Sequence, residues 1–226
     1  MYVPAFNAMP DRAETQAFVL AHRVGQLVTV GPDGVPDATL LPVLWEGDRV
    51  IAHLARNNPH WERITAGSPG LVVVSGADAY ISPSWYASKR EHGRVVPTWN
   101  YSAVHLSGPV RVVDDPGWVL EAVTRLTERH EGGRLDPWQV TDAPTRFVAS
   151  RLRAIVGVEL TVTAVEGKAK LSQNRSDADR RGVIEGLRTD AEHAGEPTVR
   201  ELTVQEVADR EVADRMGHAL QADYRR

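Results

Sequence analysis

The sequence predicts a mainly β (α+β) fold, in which a small antiparallel barrel is capped by helices. Short apolar runs rich in Val, Leu and Ile recur along the chain. Turn sequences such as GPDG, EGD and GSPG separate these runs. Strands and helices do not alternate regularly, which argues against a doubly wound parallel sheet. Six strands closed into a barrel account for this pattern, because closure hides the strand edges.

Three helices flank the predicted strands. The first follows Pro10 over residues 11–23, with acidic residues early and basic residues late, and we expect Gly25 to end it. A short second helix begins after Asn58, which is a suitable N-cap residue. The third helix covers residues 116–132 and has apolar residues at core spacing.

The strand predictions rest on apolar or alternating runs between these helices. Pro109 indicates an edge or a bulge in the fifth strand, and Gly157 indicates a break in the sixth. The six predicted strands cover residues 25–31, 37–47, 48–55, 70–86, 100–115 and 151–171.

The C-terminal part of the chain differs in composition from the rest. It is rich in acidic residues and arginine, has few large apolar residues, and repeats EVADR at 206–210 and 211–215. We therefore expect a barrel domain at 1–175 and a charged helical extension at 176–226, in which the EVADR repeat forms a solvated helix or a frayed end.

Composition excludes several classes of function. The sequence has no Cys, which excludes disulfides, thiolate metal sites and cysteine nucleophiles. A net charge of −4 provides no overall field attractive to nucleic acid. The first residues lack an apolar signal segment and no run is long enough for a membrane span, so we expect a cytoplasmic protein with no membrane partner. The histidines lack metal-ligand spacing, and we predict no metal site.

Three polar stretches could bind a ligand, and each also has a structural explanation. In 53–61, Arg56 precedes a helix start, as in an anion site, but a helix cap and a surface arginine give the same pattern. In 81–105, Trp85 and Trp99 offer flat faces to a planar heteroaromatic ligand or plug the barrel. In 168–175, successive donors suit a phosphate or ring carbonyls, or form a polar connector.

Five motifs together carry a family resemblance. They are MYVPAFNA, HLARNNPHW, YISPSWYASK, VPTWNYSAVHLSG and KLSQNR, which start at residues 1, 53, 80, 96 and 170. In this order they resemble the FMN-binding negative transcriptional regulators of the PaiB type. The resemblance implies a six-stranded split β-barrel with Greek-key character, a homodimer, and FMN at the subunit interface.

The resemblance also implies which residues bind the flavin. Polar residues at 56–58 would hold the phosphate, the backbone of 40–42 would line the ring, and the partner subunit would supply 98–101 and 170–175. Related flavin oxidases often carry an Arg-Lys pair where this sequence has Pro59 and His60. The implied cofactor-binding residues are Leu40, Leu41, Pro42, His53, Leu54, Arg56, Asn57, Asn58, Thr98, Trp99, Asn100, Tyr101, Lys170, Ser172, Gln173 and Asn174.

Two classes of function remain open at this level. One is a flavin-binding regulator whose dimer acts on DNA or on a protein partner. The other is an FMN-dependent reductase or oxidase, in which the flavin carries hydride. Apart from His53, His105 and Tyr101, no acid or base lies near the implied ring, which favours binding over catalysis and predicts no catalytic residue. A third, weaker alternative is haem, with His53 or His105 as an axial ligand.

Overall fold

The computed structural model describes residues 1–193 and 204–223. Six α-helices lie within these residues, and short 3-10 turns such as Pro59–Arg63 connect other elements. The helices are α1 (Arg12–His22), α2 (Ser88–His92), α3 (Pro116–Glu131), α4 (Thr145–Leu152), α5 (Asp177–His193) and α6 (Val204–Asp223). In the part of the chain described, no helix is long and apolar enough to cross a bilayer.

Eight strands form one sheet in the order β2-β1-β5-β6-β7-β4-β3, and β8 pairs with β6 outside this order. The pairings of β1 with β2, of β1 with β5, and of β4 and β6 with β7 are antiparallel. The strands are β1 (Val24–Val30), β2 (Pro36–Pro42), β3 (Leu44–Glu46), β4 (Arg49–Ala55), β5 (Ser68–Ile81), β6 (Thr98–Val113), β7 (Ile155–Thr161) and β8 (Ala164–Lys170).

The predicted antiparallel β class is confirmed, but the predicted count of six strands is not. Two predicted strands each divide into two. The first divides at Val43, because the residues before it pair with β1 whereas those after it pair with β4. The other divides after β7 rather than at Gly157, which pairs with His53 inside that strand. The order ends at β2 and β3, so the described strands form an open sheet rather than the closed barrel expected from the sequence.

Local chemistry explains where α1 begins and ends. The Asp11 carboxylate accepts a hydrogen bond from the Glu14 N–H, which satisfies one free donor of the first turn. Arg23 ends the helix with a φ of 62°, in the left-handed region usually occupied by glycine. Gly25, the residue predicted to end this helix, lies inside β1 instead.

The described chain folds into two compact units, each assembled from separate stretches of sequence. The larger unit is Asp11–Val74 with Val104–Glu166, and the smaller unit is Met1–Pro10, Ser75–Ala103 and Gly167–Arg226. Strands β5 and β6 run through both units. In the larger unit α3 packs on the sheet, where its buried residues contact Leu44 and Ile51. The domain boundary expected between residues 175 and 176 stays a prediction.

The C-terminal extension is helical, as predicted, with α5 and α6 packed on each other in the smaller unit. Both helices carry buried apolar side chains, including Val183, Leu187, Val212 and Met216. The prediction of a solvated helix or a frayed end is therefore wrong for the second EVADR copy, in which Val212 and Ala213 are buried in α6. The two EVADR copies form part of α6, although the side chains of the first copy before Arg210 lie outside the described residues.

Candidate functional site

Three basic side chains of the smaller unit form what we call the cation cluster: Lys168, Lys170 and Arg175. Strand β8 carries the two lysines two positions apart, which places both on the same face of the strand. Arg175 follows a sharp turn in which Ser172 has a φ of 62°. Burial, together with proximity to Lys168 and Arg175, lowers the pKa of Lys170. Lys170 is therefore close enough to both Lys168 and Arg175 to be repelled by them.

Neutral groups and aromatic rings surround the cation cluster. Lys168 is almost fully buried, and its ammonium donates to the Tyr101 hydroxyl at 2.7 Å. Lys170 donates to the Thr98 hydroxyl at 2.5 Å and to the Trp99 carbonyl. Among the described residues, none of the three cations forms an ion pair with a carboxylate. Burial of uncompensated positive charge is unfavourable, and an anionic ligand would offset it.

Aromatic side chains border the cluster. The Lys168 ammonium lies 4.9 Å from the centre of the Tyr101 ring and 6.0 Å from that of Tyr2. Trp99, half exposed, stacks edge to face with Tyr80 at 5.9 Å between ring centres. Flat faces beside unpaired cations match a ligand with a planar ring and a phosphate. The donors of this unit therefore fit FMN.

Two other predicted ligands of the smaller unit have a structural role. The Asn100 amide and the Ser172 hydroxyl form hydrogen bonds with each other, and Asn100 also contacts the Met216 sulfur of α6 at 3.2 Å. All three side chains are buried. Gln173 turns back onto the backbone of Leu171 and Ala169, whereas Asn174 is exposed.

In the larger unit, the guanidinium of Arg56 is occupied by protein groups. Two of its nitrogens donate to the Asp114 carboxylate at 2.5 and 3.0 Å. Its Nε donates to the Arg153 carbonyl at 2.9 Å, and a further bond reaches the Ile155 carbonyl. The bond to Asp114 raises the pKa of Arg56. A phosphate at Arg56 would therefore have to compete with Asp114.

The helix start beside Arg56 is built from protein contacts as well. Asn57 is exposed to solvent. The Asn58 side chain caps the turn by accepting a hydrogen bond from the His60 N–H. His60 is buried, with its two ring nitrogens 2.8 and 2.9 Å from the hydroxyls of Thr39 and Thr29. Burial lowers the pKa of His60 and favours the neutral imidazole.

The remaining predicted residues lie on strands β2 and β4. Leu41 and Leu54 are buried, whereas Pro42 is exposed and Leu40 is 65% exposed. His53 is half-buried, its Nδ1 has no hydrogen-bond partner, and burial lowers its pKa. We use the name apolar sheet face for the exposed side of β1 and β2, which carries Val24, Val30, Ala38, Leu40 and Pro42, together with the exposed polar side chain of Gln26 opposite Leu40.

The structure thus brings together Thr98, Trp99, Tyr101 and Lys170 of the predicted set. The sequence-based set lacks Lys168 and Tyr2. The Lys-Ala-Lys alternation at the end of a strand was the available signal for Lys168, because it places both lysines on one face. Tyr2 could not be found in this way, since nothing local connects the start of the chain with β8.

Comparisons with known proteins agree with this fold. A family model described as "Putative FMN-binding domain" matches residues 1–164. The chain is 34% identical over 194 residues to "Protease synthase and sporulation protein PAI 2" of Bacillus subtilis, which covers 84% of this chain and 90% of that protein. The chain therefore belongs to this FMN-binding domain family, and the PaiB-type resemblance is confirmed.

Solved structures show the same fold at low sequence identity. The FAD and haem binding protein of Mycobacterium smegmatis is 19% identical, with a TM-score of 0.58 and 80% of each chain covered. A conserved hypothetical protein of Mycobacterium tuberculosis is 17% identical, with a TM-score of 0.56 and coverage of 77% of this chain and 92% of that one. At such identities the likeness concerns the fold alone.

Proposed function

We propose that this protein binds FMN, with the flavin phosphate at the cation cluster. The observation that carries the proposal is that Lys168, Lys170 and Arg175 form no ion pair with a described carboxylate. A phosphate monoester carries about −1.5 to −2 charges at pH 7, which three cations can balance. Membership of an FMN-binding domain family and the bordering aromatic rings also support it.

The residues of the smaller unit would bind and orient the cofactor. Lys168 and Lys170 would each donate to phosphate oxygens, while Tyr101 fixes the ammonium of Lys168. The half-exposed Trp99 would offer its face to the planar ring. FMN supplies hydride and electron transfer when it is bound. The resemblance of the five sequence motifs to FMN-binding negative transcriptional regulators supports a regulatory use of that cofactor rather than metabolic turnover.

The proposal includes a homodimer with the flavin at the subunit interface. Its support is the apolar sheet face, where Leu40 is 65% and Val30 52% exposed. Apolar side chains clustered on an exposed face are typical of protein interfaces. The second cofactor-binding set, on β2 and β4, would then face the partner's flavin.

A regulator also needs a partner, and we propose DNA. The connection between β5 and β6 carries Lys89, Arg90 and Arg94, which are all exposed. These three cations would contact phosphates, and binding should then weaken steeply with salt.

A flavin reductase or oxidase is the alternative, and oxidation of NAD(P)H above the rate with free FMN would favour it. Haem is the second alternative, which a visible spectrum separates from flavin.

The test is an FMN titration of the purified protein, followed by tryptophan fluorescence and calorimetry. Replacing Lys170 by Ala, or Lys168 by Met, should weaken FMN binding about tenfold to a hundredfold, because each removes a charge-assisted contact. The matched control is Lys89→Ala, a lysine of the same unit that donates to the Ser84 hydroxyl. Unchanged affinity in both cluster variants would overturn the assignment of the phosphate.

A further inference from the structure

The larger unit contains a cavity of about 510 Å³ that the flavin proposal does not use. The start of α3, the end of α4 and the start of β7 form its walls. A cavity of this size is in the range that holds drug-sized ligands. Its apolar lining consists of Pro116, Val119, Ala149, Leu152 and Ile155.

Three charged residues also line this cavity. They are Arg56, Asp114 and Arg153. Arg56 and Asp114 neutralise each other through a two-point ion pair. The Arg153 carbonyl accepts from Arg56, whereas its own guanidinium has no carboxylate partner among the described residues. The lining therefore has a net charge of about +1 carried by Arg153.

We propose that this cavity binds an amphipathic monocarboxylate, of which a medium-chain fatty acid is the simplest example. The aliphatic chain would lie against Val119, Leu152 and Ile155, and burial of each methylene group would contribute to binding. The carboxylate would pair with the Arg153 guanidinium, which has a planar fork of donors that fits it. A single positive charge favours a monoanion over a doubly charged phosphate ester.

This site is independent of the proposed flavin site. None of the residues of the cation cluster lines the cavity. Arg56 stays with Asp114 when the carboxylate binds, so no ion pair has to break. A bound fatty acid would hold α3 and α4 together, since residues of both helices contact it.

Decanoate is the probe, and isothermal titration calorimetry of the full-length protein measures its binding. Decanol carries the chain without the charge, and acetate carries the charge without the chain. We expect decanoate to bind more tightly than either. Failure of decanoate to bind, or equal binding of decanol, would overturn the proposal.

Two variants locate the bound decanoate. Arg153→Ala should reduce its affinity about tenfold or more by removing a charge-assisted contact. Ala149→Trp fills the cavity and should abolish binding, and because Ala149 is exposed the variant should still fold. The matched control is Arg146→Ala, an exposed arginine of the same helix that does not line the cavity. If Arg153→Ala and Arg146→Ala bind decanoate with equal affinity, the proposed site is overturned. This result does not depend on whether the protein binds FMN.

Discussion

Arg56 shows how the partner of a single side chain decides its role. The sequence motif around it predicts a phosphate ligand, because an arginine before a helix start is typical of anion sites. In the structure its donors already reach Asp114 and two backbone carbonyls. Asp114 lies 58 residues away in sequence, so no local pattern could reveal this ion pair. Whether Arg56 also contacts phosphate stays a prediction.

Substitution of Asp114 tests the role of Arg56 directly. With the phosphate at the cation cluster, Asp114→Asn should leave FMN affinity unchanged and lower the thermal midpoint, because Arg56 loses its ionic partner. FMN titration and thermal unfolding of the same sample provide both readouts. If Arg56 held the phosphate, freeing its guanidinium from Asp114 would tighten FMN binding, and that result would restore the sequence-based assignment.

Other predicted ligands had a second explanation that the structure favours. Asn58 caps its turn through the His60 N–H, as the N-cap interpretation predicted. Asn100 and Ser172 are buried and bond to each other. Lys170, in contrast, was identified as a member of a polar donor run, and the structure adds its proximity to Lys168 and Arg175. Sequence identifies such donors, but their neighbours depend on tertiary contacts between distant strands.

At the scale of elements, Trp85 explains how α5 docks. Its ring fits against Gly186, and its backbone carbonyl lies close to Gly182, one helical turn earlier. A Cβ atom added at Gly186 would lie 2.4 Å from the indole, and one at Gly182 would lie 2.1 Å from the carbonyl oxygen. The two glycines therefore form a notch for residue 85, and Trp85 is a packing residue rather than an open ligand face.

Gly186→Ala should destabilise the protein although alanine favours helices. The gain in helix propensity is about 1 kcal/mol, whereas forced overpacking typically costs about 1–3 kcal/mol. Gly217→Ala in α6 is the matched control, because no atom lies within 4 Å of its added Cβ. That control should be neutral or slightly stabilising. Urea unfolding of both variants measures the difference, and equal free energies of unfolding would contradict the notch.

Most elements could be predicted from the sequence, because turn residues and apolar runs mark them locally. Helix α3 begins where Pro116 follows Asp115, whose carboxylate caps the helix. The division of 37–47 into β2 and β3 could not be predicted, since it depends on a change of pairing partner at Val43, from β1 to β4. Helix α4 was missed, because no side chain caps its start at Thr145.

At the scale of the whole molecule, the apolar sheet face leads to a prediction about assembly. Leu40→Asp should convert the proposed dimer to monomer, because a charge at the centre of an apolar contact is costly to bury. Sedimentation velocity at several protein concentrations measures the mass. Leu135→Asp is the control, since this leucine is fully exposed and belongs to neither β1 nor β2. If the wild-type protein is a monomer at every concentration measured, the dimer is removed from the proposal.

The fold buries three histidine side chains, at least in part, and their burial predicts that the protein loses stability in acid. Burial lowers the pKa of His53, His60 and His105 below 6.5. As the pH falls below about 6.5 the unfolded chain binds protons that the folded chain resists, so stability decreases until the folded pKa is passed. Each such histidine contributes at most about 1.4 kcal/mol per pH unit.

Urea unfolding at several pH values between about 7.5 and 5 measures this slope. His60→Gln keeps polar contacts for Thr29 and Thr39 and should flatten the slope, whereas the exposed His92→Gln should not. If His60→Gln keeps the wild-type slope, His60 does not contribute to the pH dependence of stability. The carboxylates of Asp33 and Asp114 do not interfere, because their ion pairs with arginine lower their pKa values from 3.8, so that they titrate under more acidic conditions.

The order in which the smaller unit is encoded has a consequence for synthesis on the ribosome. Its pieces come from the start, the middle and the end of the chain, and Ala8 pairs with Lys168. The first ten residues therefore emerge long before their partners exist. The larger unit, in contrast, is complete once residue 166 has been translated. Premature termination after that residue would release a chain with every residue of the larger unit and without any member of the cation cluster.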